Sequence, residues 1–184
     1  MIDNFNLFVD IVLKAEGGFS NDPSDRGGAT NRGITHETLR NYINDVEDRD
    51  DTCGQEEAYD RLQGLSEQDA INIYQHYYWD AVQADALPDG FDIMLADFAV
   101  NSGPYRAIKV MQDLVSVKVD GILGPRTLEA IRTRNPSKLT HDLFLRRLTF
   151  YYTTSKLDGQ RRFIRGWNNR VVALYNELIQ ENLA

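Results

Sequence analysis

The chain has 184 residues, of which 42% are hydrophobic and 26% charged, and its formal net charge is −8. This composition is typical of a soluble globular protein and excludes disordered and fibrous chains. The length suits a domain whose core needs no covalent staple. The single cysteine excludes an intrachain disulfide framework.

The charge is unevenly distributed along the chain. Residues 1–100 hold 6 Lys/Arg and 21 Asp/Glu, whereas residues 101–184 hold 14 Lys/Arg and 7 Asp/Glu. A basic second half fits either a solvated face or a surface that binds an anionic polymer. Charge alone does not distinguish peptidoglycan from nucleic acid, because both polymers are anionic.

The N-terminal segment, residues 1–18, carries acidic residues and has apolar positions interrupted by polar ones. It lacks the basic head and apolar stretch of a signal peptide. No run of about 18 apolar residues occurs, so we expect no stable membrane association. We therefore expect synthesis in the cytoplasm. A target outside the cytoplasm would then require a separate route of delivery.

Apolar residues recur mostly at helical spacing, which predicts a mainly α fold. A first helix is predicted over about residues 4–16, where two glycines stop it. Residues 17–35 indicate a small polar loop or hairpin, and a second helix is expected to begin near Thr35. Residues 44–65 are acidic and weakly patterned, and we interpret them as a surface excursion.

The pattern of apolar and capping residues also predicts helices in the second half of the chain. Ser66 and Asp69 have the spacing of a capping box and predict the start of a helix with Tyr74 and Tyr78 on one side. A helix that is apolar on most sides follows and includes Asp97, which would need an ion-pair partner if buried. Further helices are predicted over about 105–116, after the turn-rich segment 119–127, from Pro136 onward, and over about 163–178.

The segment Glu16–Thr35 carries the most informative pattern. A carboxylate closes a helix, two glycines allow a sharp turn, and a polar loop with Asp25 and Thr30 follows. Glycoside cleavage needs one protonated carboxyl and one polar group in a wetter setting. The residues alone leave other interpretations open, namely a helix-end Glu paired with Arg, a plain turn, or a cation-binding loop.

This segment resembles the signature of the glycoside hydrolase family 108 lysozymes, which include phage endolysins and secretion-associated muramidases. The matching positions are Glu16, Gly17, Gly18, Phe19, Asp22, Pro23, Asp25, Gly27, Gly28, Thr30, Gly33, Ile34 and Thr35. Later blocks at 78–79, 97–104, 119–128 and 163–170 extend the likeness over nearly the whole chain. The block at 119–128 is similar to the predicted peptidoglycan-binding part of these proteins.

The resemblance implies a lysozyme-like catalytic part over 1–103 and a helical peptidoglycan-binding part over 104–184, packed together as one compact unit. The implied reaction is hydrolysis of the β-1,4 bond between N-acetylmuramic acid and N-acetylglucosamine. Glu16 is implied as the general acid. Asp25, with Thr30, would position water or stabilise the transition state, and Asp22 is a rival to Asp25 whose place before a proline also suits a turn.

Three further residues are candidates for substrate binding, each with a structural alternative. Tyr78 and Trp79 could stack on sugar rings, or could pack in the core. Asn101 could bond an N-acetyl group, or could cap the end of its helix. The histidines are scattered without metal-ligand spacing, so neither a catalytic metal nor a cofactor is expected.

Peptidoglycan is the expected partner, and nucleic acid is not. The sequence does not predict an oligomeric state. Two rival functions remain open, a lytic transglycosylase that uses one Glu without hydrolytic water, and a non-catalytic module that binds the cell wall or assists secretion.

Overall fold

The computed structural model describes residues 4–16, 18–20, 29–47, 51–157 and 160–184. These residues form nine α-helices and one two-stranded antiparallel sheet, which confirms the predicted mainly α class. None of the helices in this part of the chain has the length and apolar character needed to cross a bilayer.

The helices and strands follow one another in this order: α1 (Asn4–Ala15), β1 (Thr30–Asn31), β2 (Ile34–Thr35), α2 (His36–Val46), α3 (Gln55–Gln63), α4 (Glu67–Tyr74), α5 (Phe91–Ser102), α6 (Pro104–Leu114), α7 (Pro125–Arg132), α8 (Pro136–Ser155) and α9 (Ile164–Gln180). Backbone contacts divide the chain into a smaller unit, Val9–His76, and a larger unit, Met1–Phe8 with Tyr77–Ala184. The predicted domain boundary between 103 and 104 stays a prediction.

In the smaller unit, a short hairpin connects to α2 as the sequence predicts. Thr30 pairs with Thr35, and Asn31 pairs with Ile34. Thr35 then caps α2, because its side chain accepts a hydrogen bond from the backbone N–H of Thr38 at 3.1 Å. The hairpin and the first turn of α2 are thus joined without a linker.

The prediction of a surface excursion over 44–65 was wrong, because this stretch contains α3. Ala58 and Leu62 are fully buried and lie four residues apart, on one face of the helix. The side-chain amide of Asn31 donates to the carbonyl of Leu62 at 2.8 Å, which ties the end of α3 to the hairpin. Two apolar residues among charged ones made too weak a periodic signal to predict this helix.

The helix after Ser66 begins as predicted, but its register changes further on. The hydroxyl of Ser66 accepts from the backbone N–H of Asp69 at 3.1 Å. After α4, a π-helical turn spans Gln75–Trp79. Such a turn spaces equivalent positions five residues apart, so Trp79 is buried like Tyr74, whereas Tyr78 is only half-buried.

In the larger unit, α5 is buried on almost all sides, as its sequence predicts. Asp97 on α5 is fully buried, and its carboxylate contacts Arg147 of α8 at 2.7 Å and Arg170 of α9 at 2.8 Å. We name Asp97, Arg147 and Arg170 the buried ion cluster. It confirms the interpretation of Asp97 as a structural ion-pair residue and joins three helices.

The turn-rich segment before α7 is organised by a buried side chain. Gln112 of α6 accepts hydrogen bonds from the backbone N–H of Asp120 at 3.0 Å and of Gly121 at 2.8 Å. Its amide donates to the carboxylate of Asp120 at 2.9 Å and to the carbonyl of Ile122 at 3.0 Å. These bonds satisfy polar groups that a tight loop would otherwise leave unpaired, which gives Asp120 and Gly121 a structural role.

Candidate active site

Glu16 closes the first helix. Its backbone N–H donates to the carbonyl of Val12 at 3.0 Å, so its backbone continues the helical hydrogen-bond pattern by one residue. Val12 and Val9 on the same helix are buried, whereas Glu16 itself is half-buried. A rigid, partly buried element therefore positions this carboxyl group.

The turn of the hairpin lies directly against the Glu16 side chain. Gly33 has a φ of +76°, a conformation that favours glycine. A methyl group added at Gly33 would lie 2.6 Å from Cγ and 2.7 Å from Cδ of Glu16. Both the backbone angle and the close approach therefore require glycine at this position of the motif.

Tyr74 of α4 completes this contact and was not predicted as a site residue. Its hydroxyl would lie 2.5 Å from the same added methyl group at Gly33, and it donates to the carbonyl of Arg32 at 2.8 Å. The Tyr74 side chain is only 1% exposed. Its sequence signal was that of a core position, and nothing local connects it with Glu16.

The proposed partners of Glu16 fall in two places. Thr30 lies in β1, in the hairpin whose turn contacts Glu16, and its backbone also pairs with Ser20 at 2.8 Å in both directions. Asp25 and its rival Asp22 lie outside the described residues. Thr30 is therefore joined to the Glu16 region through one hairpin, while the predictions for the two aspartates stay predictions.

The aromatic candidates differ in their exposure. Trp79 is 3% exposed, and its indole packs between Phe5 at 5.5 Å and Phe8 at 5.4 Å between ring centroids. Its N–H donates to Asp85 at 2.8 Å. These contacts give Trp79 a core role, and its predicted contact with substrate stays a prediction, as does that of the half-buried Tyr78.

Asn101 lies in the last turn of α5 and is half-buried. The helix is closed by Gly103, whose φ is +83° and whose N–H donates to the carbonyl of Ala99 at 2.8 Å. The alternative of a helix cap at Asn101 was therefore wrong. Asn101 instead lines a cavity of about 480 Å³ within the larger unit.

Comparisons with known proteins agree with this arrangement. The sequence model of the family described as Glycosyl hydrolase 108 matches residues 9–103, and that of a Predicted Peptidoglycan domain matches residues 106–172. The chain is similar to the solved structure of Brucella abortus SagA, with 32% sequence identity, a TM-score of 0.81, and coverage of 96% of this chain and 94% of that one. A search of curated proteins found no match.

The first match covers more than half of the chain and contains Glu16, Gly33 and Tyr74. The structural likeness extends over almost the full length and confirms the lysozyme-like helical class. The chain therefore belongs to glycosyl hydrolase family 108, and it is a glycoside hydrolase that acts on peptidoglycan.

Proposed function

We propose that this protein is a muramidase that hydrolyses the β-1,4 bond between N-acetylmuramic acid and N-acetylglucosamine, with Glu16 as general acid. The observation that carries the proposal is the packing of the Glu16 side chain against Gly33 and beside the Tyr74 hydroxyl. A proton donor must be held in one orientation relative to the scissile bond, and these neighbours restrict the Glu16 side chain.

In the proposed reaction, Glu16 gives its proton to the glycosidic oxygen as the bond to the anomeric carbon breaks. Asp25, assisted by Thr30, either activates a water molecule or stabilises the positive charge on the sugar. A separation of about 6.5–9.5 Å between the two carboxyl groups is typical of inversion, and one of about 5–5.5 Å of retention. An inverted anomeric configuration in the product would therefore indicate the longer Glu16–Asp25 separation, and a retained one the shorter separation.

The test is the variant Glu16→Gln, which keeps the shape of the side chain and removes the acidic proton of the carboxyl group. We expect its rate of clearing a suspension of purified sacculi to fall on the order of 10²-fold or more. The matched control is Glu37→Gln, which alters an exposed carboxyl on α2 in the same unit. Thermal unfolding of both variants should match that of the wild type.

Normal clearing by Glu16→Gln would contradict the assignment of the general acid. Mass spectrometry of the released fragments separates the rival reactions, since hydrolysis leaves reducing muramic ends. Anhydro-muramic ends would instead identify a lytic transglycosylase. Binding to sacculi without any released sugar ends would identify a non-catalytic module.

The proposal includes an endolysin role, in which the enzyme made in the cytoplasm reaches the cell wall after release through a holin-like pore. Support comes from the substrate, since glycan cleavage in the wall is the step that lyses a cell. Expression in a bacterial host should cause lysis only when the inner membrane is permeabilised. Lysis without permeabilisation would indicate a separate export route.

A further inference from the structure

The two long helices of the larger unit, α8 and α9, lie side by side and run antiparallel. Phe144 of α8 stacks on Tyr175 of α9, with 4.4 Å between the ring centroids. Further along α8, the ring of Tyr151 lies 5.5 Å from that of Trp167, which precedes Tyr175 in α9. The two helices are thus aligned over most of their lengths, and their solvent sides form one continuous surface.

This surface lies opposite the buried ion cluster. Arg147 of α8 and Arg170 of α9 both contact Asp97 of α5. Two residues further along or back in a helix, a side chain points about 160° away from the first one. Leu145 is two residues before Arg147, and Val172 is two residues after Arg170. Both therefore project away from α5.

Large apolar side chains repeat along this exposed side. On α8 they are Leu145 and Tyr152, and on α9 they are Val172 and Ile179, with exposed fractions of 46%, 57%, 42% and 49% in that order. We name these four residues the outer face. Within each helix the two members are seven positions apart, so they form a stripe along one side. Adjacent stripes of exposed apolar side chains are typical of interaction surfaces.

The end of the outer face where α8 stops and α9 begins is basic. Residues 152–165 contain four basic residues and one acidic residue. The basic side chains, all of them exposed, are Lys156, Arg161, Arg162 and Arg165. Arg165 lies on the α9 stripe, seven residues before Val172, and the Lys156 ammonium lies 4.4 Å from the centre of the Tyr152 ring. Cations therefore adjoin the apolar side chains of this face.

The acidic residues of the two helices do not cancel this charge. Asp142, the acidic residue of α8, is paired with Lys138 at 3.0 Å. Glu177 of α9 comes seven residues after Arg170, so it lies on the side of the ion cluster. Glu181 lines a different cavity, of about 370 Å³, at the start of α5. The outer face is therefore apolar and positively charged, and a complementary partner is apolar and negatively charged.

A bilayer of anionic lipid has both properties. Helices that carry basic residues beside apolar ones lie at the boundary between headgroups and acyl chains. Amphipathic side chains such as Tyr152 and Lys156 suit this depth, because each has an apolar body and a polar tip. A hydrophilic polyanion would match the cations but would leave the apolar stripes in water. The combination favours a lipid surface.

We propose that the outer face adsorbs reversibly to a bilayer surface that contains anionic phospholipid. The apolar stripes contact the acyl-chain boundary, while Lys156 and Arg165 pair with lipid phosphates. Each basic residue near such a surface contributes about a five-fold gain in affinity. The proposal concerns the larger unit by itself and does not depend on the reaction assigned to Glu16.

The test is co-sedimentation of the full chain with lipid vesicles. Vesicles of phosphatidylcholine with about 25% phosphatidylglycerol should carry the protein into the pellet, and vesicles of pure phosphatidylcholine should not. Raising the salt from about 0.05 M to about 0.5 M should release most of the bound protein, because salt screens the attraction. Absence of binding to the anionic vesicles, or equal binding to both kinds, would overturn the proposal.

Two matched pairs of variants locate the contact. Val172→Asp should weaken binding to the anionic vesicles roughly 10-fold. Its control is Val119→Asp, at a position outside both helices that is 43% exposed, and this change should have no effect. Arg165→Gln should weaken binding about five-fold, whereas Arg126→Gln, an exposed position on α7, should not. Equal losses within either pair would contradict the assignment of the outer face.

A short DNA duplex serves as a hydrophilic polyanion for comparison. Binding to DNA that Arg165→Gln weakens and Val172→Asp leaves unchanged, without binding to vesicles, would assign the basic end to a polyanion and exclude the lipid surface. Thermal unfolding of each variant, matching that of the wild type, shows that the losses arise at the surface. Sacculus clearing by Glu16→Gln tests the hydrolytic proposal separately, so each proposal can fail without the other.

Discussion

Glu16 and Asp97 are carboxylates in two regions of the molecule, and their surroundings differ in kind. Asp97 is fully buried and its two oxygens are committed to Arg147 and Arg170. Burial raises the pKa of Asp97, but the charges of Arg170 and Arg147 outweigh this effect and hold the pKa below its ordinary value. Such a group stays ionised and serves the scaffold.

Glu16 instead lies half-buried at the end of a helix, with glycine and a tyrosine hydroxyl as its close neighbours. Its region consists of a hairpin turn and helix ends. The difference teaches that full burial and ion pairing mark a carboxylate of the scaffold, as at Asp97, whereas the proposed general acid lies in a half-buried setting. The proposal of Glu16 as general acid rests on the family signature and on the contact with Gly33.

The largest expected effect on stability comes from removing one arginine of the buried ion cluster. Arg147→Met leaves Asp97 with a single partner, and breaking a buried pair in this way typically costs about 3–5 kcal/mol. The control is Arg146→Met on the same helix, since Arg146 pairs with Asp113 at the surface and should contribute less than about 1 kcal/mol. Urea unfolding measures both, and equal losses would contradict a structural role for the cluster.

Asp92 is a second carboxylate on α5, and its pKa is raised where that of Asp97 is lowered. Its contribution to the stability of the fold should therefore change with pH in the opposite direction to that of Asp97. Burial raises the pKa of Asp92 to about 6, although hydrogen bonds from Asn4 and from the Ile93 backbone lower it. The folded protein therefore holds this proton more tightly than the unfolded chain, and Asp92 lowers stability as the pH rises from about 4 to about 6. A shift of about 2 units corresponds to about 3 kcal/mol.

Asp92→Asn should remove this penalty. We expect the variant to be more stable than the wild type at pH 7, by up to about 3 kcal/mol, and to lose this advantage at pH 4. Chemical unfolding at both pH values measures the difference. A gain that is the same at pH 4 and pH 7 would show that titration of Asp92 is not its cause.

Gly33→Ala tests the surroundings of Glu16, the other carboxylate of the comparison, in the hairpin turn of the smaller unit. The new methyl group would meet the Glu16 side chain and the Tyr74 hydroxyl, and displacing a catalytic group by about 1 Å can reduce activity on the order of 10²-fold. The left-handed backbone adds a stability cost of about 1 kcal/mol. The control is Gly64→Ala, where an added methyl group meets nothing within 4 Å. Full sacculus clearing by Gly33→Ala would contradict a catalytic position for Glu16.

The smallest effect is expected from Tyr74→Phe. This change removes the hydrogen bond to the Arg32 carbonyl and should cost about 0.5–1.5 kcal/mol, measured by urea unfolding. Because the ring remains, the hairpin should keep its fold. A loss as large as that of Arg147→Met would mean that the hairpin depends on this hydroxyl as strongly as the larger unit depends on its ion cluster.

Much of the fold was predictable because the sequence signals of a helix, its apolar periodicity and its capping residues, lie within a short stretch of the chain. Thr35 and Ser66 each cap a helix by bonding to a residue three positions further on. The apolar face of α1 and the uniformly apolar α5 are likewise visible in short stretches of sequence. The helix α3 was missed because its buried face holds little more than Ala58 and Leu62. The π-helical turn was missed because a 3.6-residue period cannot anticipate an extra residue, which is why Trp79 rather than Tyr78 is buried.

The sequence by itself determined the helical class, the Glu16 motif and the family, because these depend on local periodicity and on a dense pattern of glycines and polar residues. Only the tertiary structure decided that Tyr74 and Gly33 meet at Glu16, and that Asp97 takes Arg147 and Arg170 as partners. Contacts between residues far apart along the chain depend on how whole helices pack. Spacing along the sequence does not encode that packing.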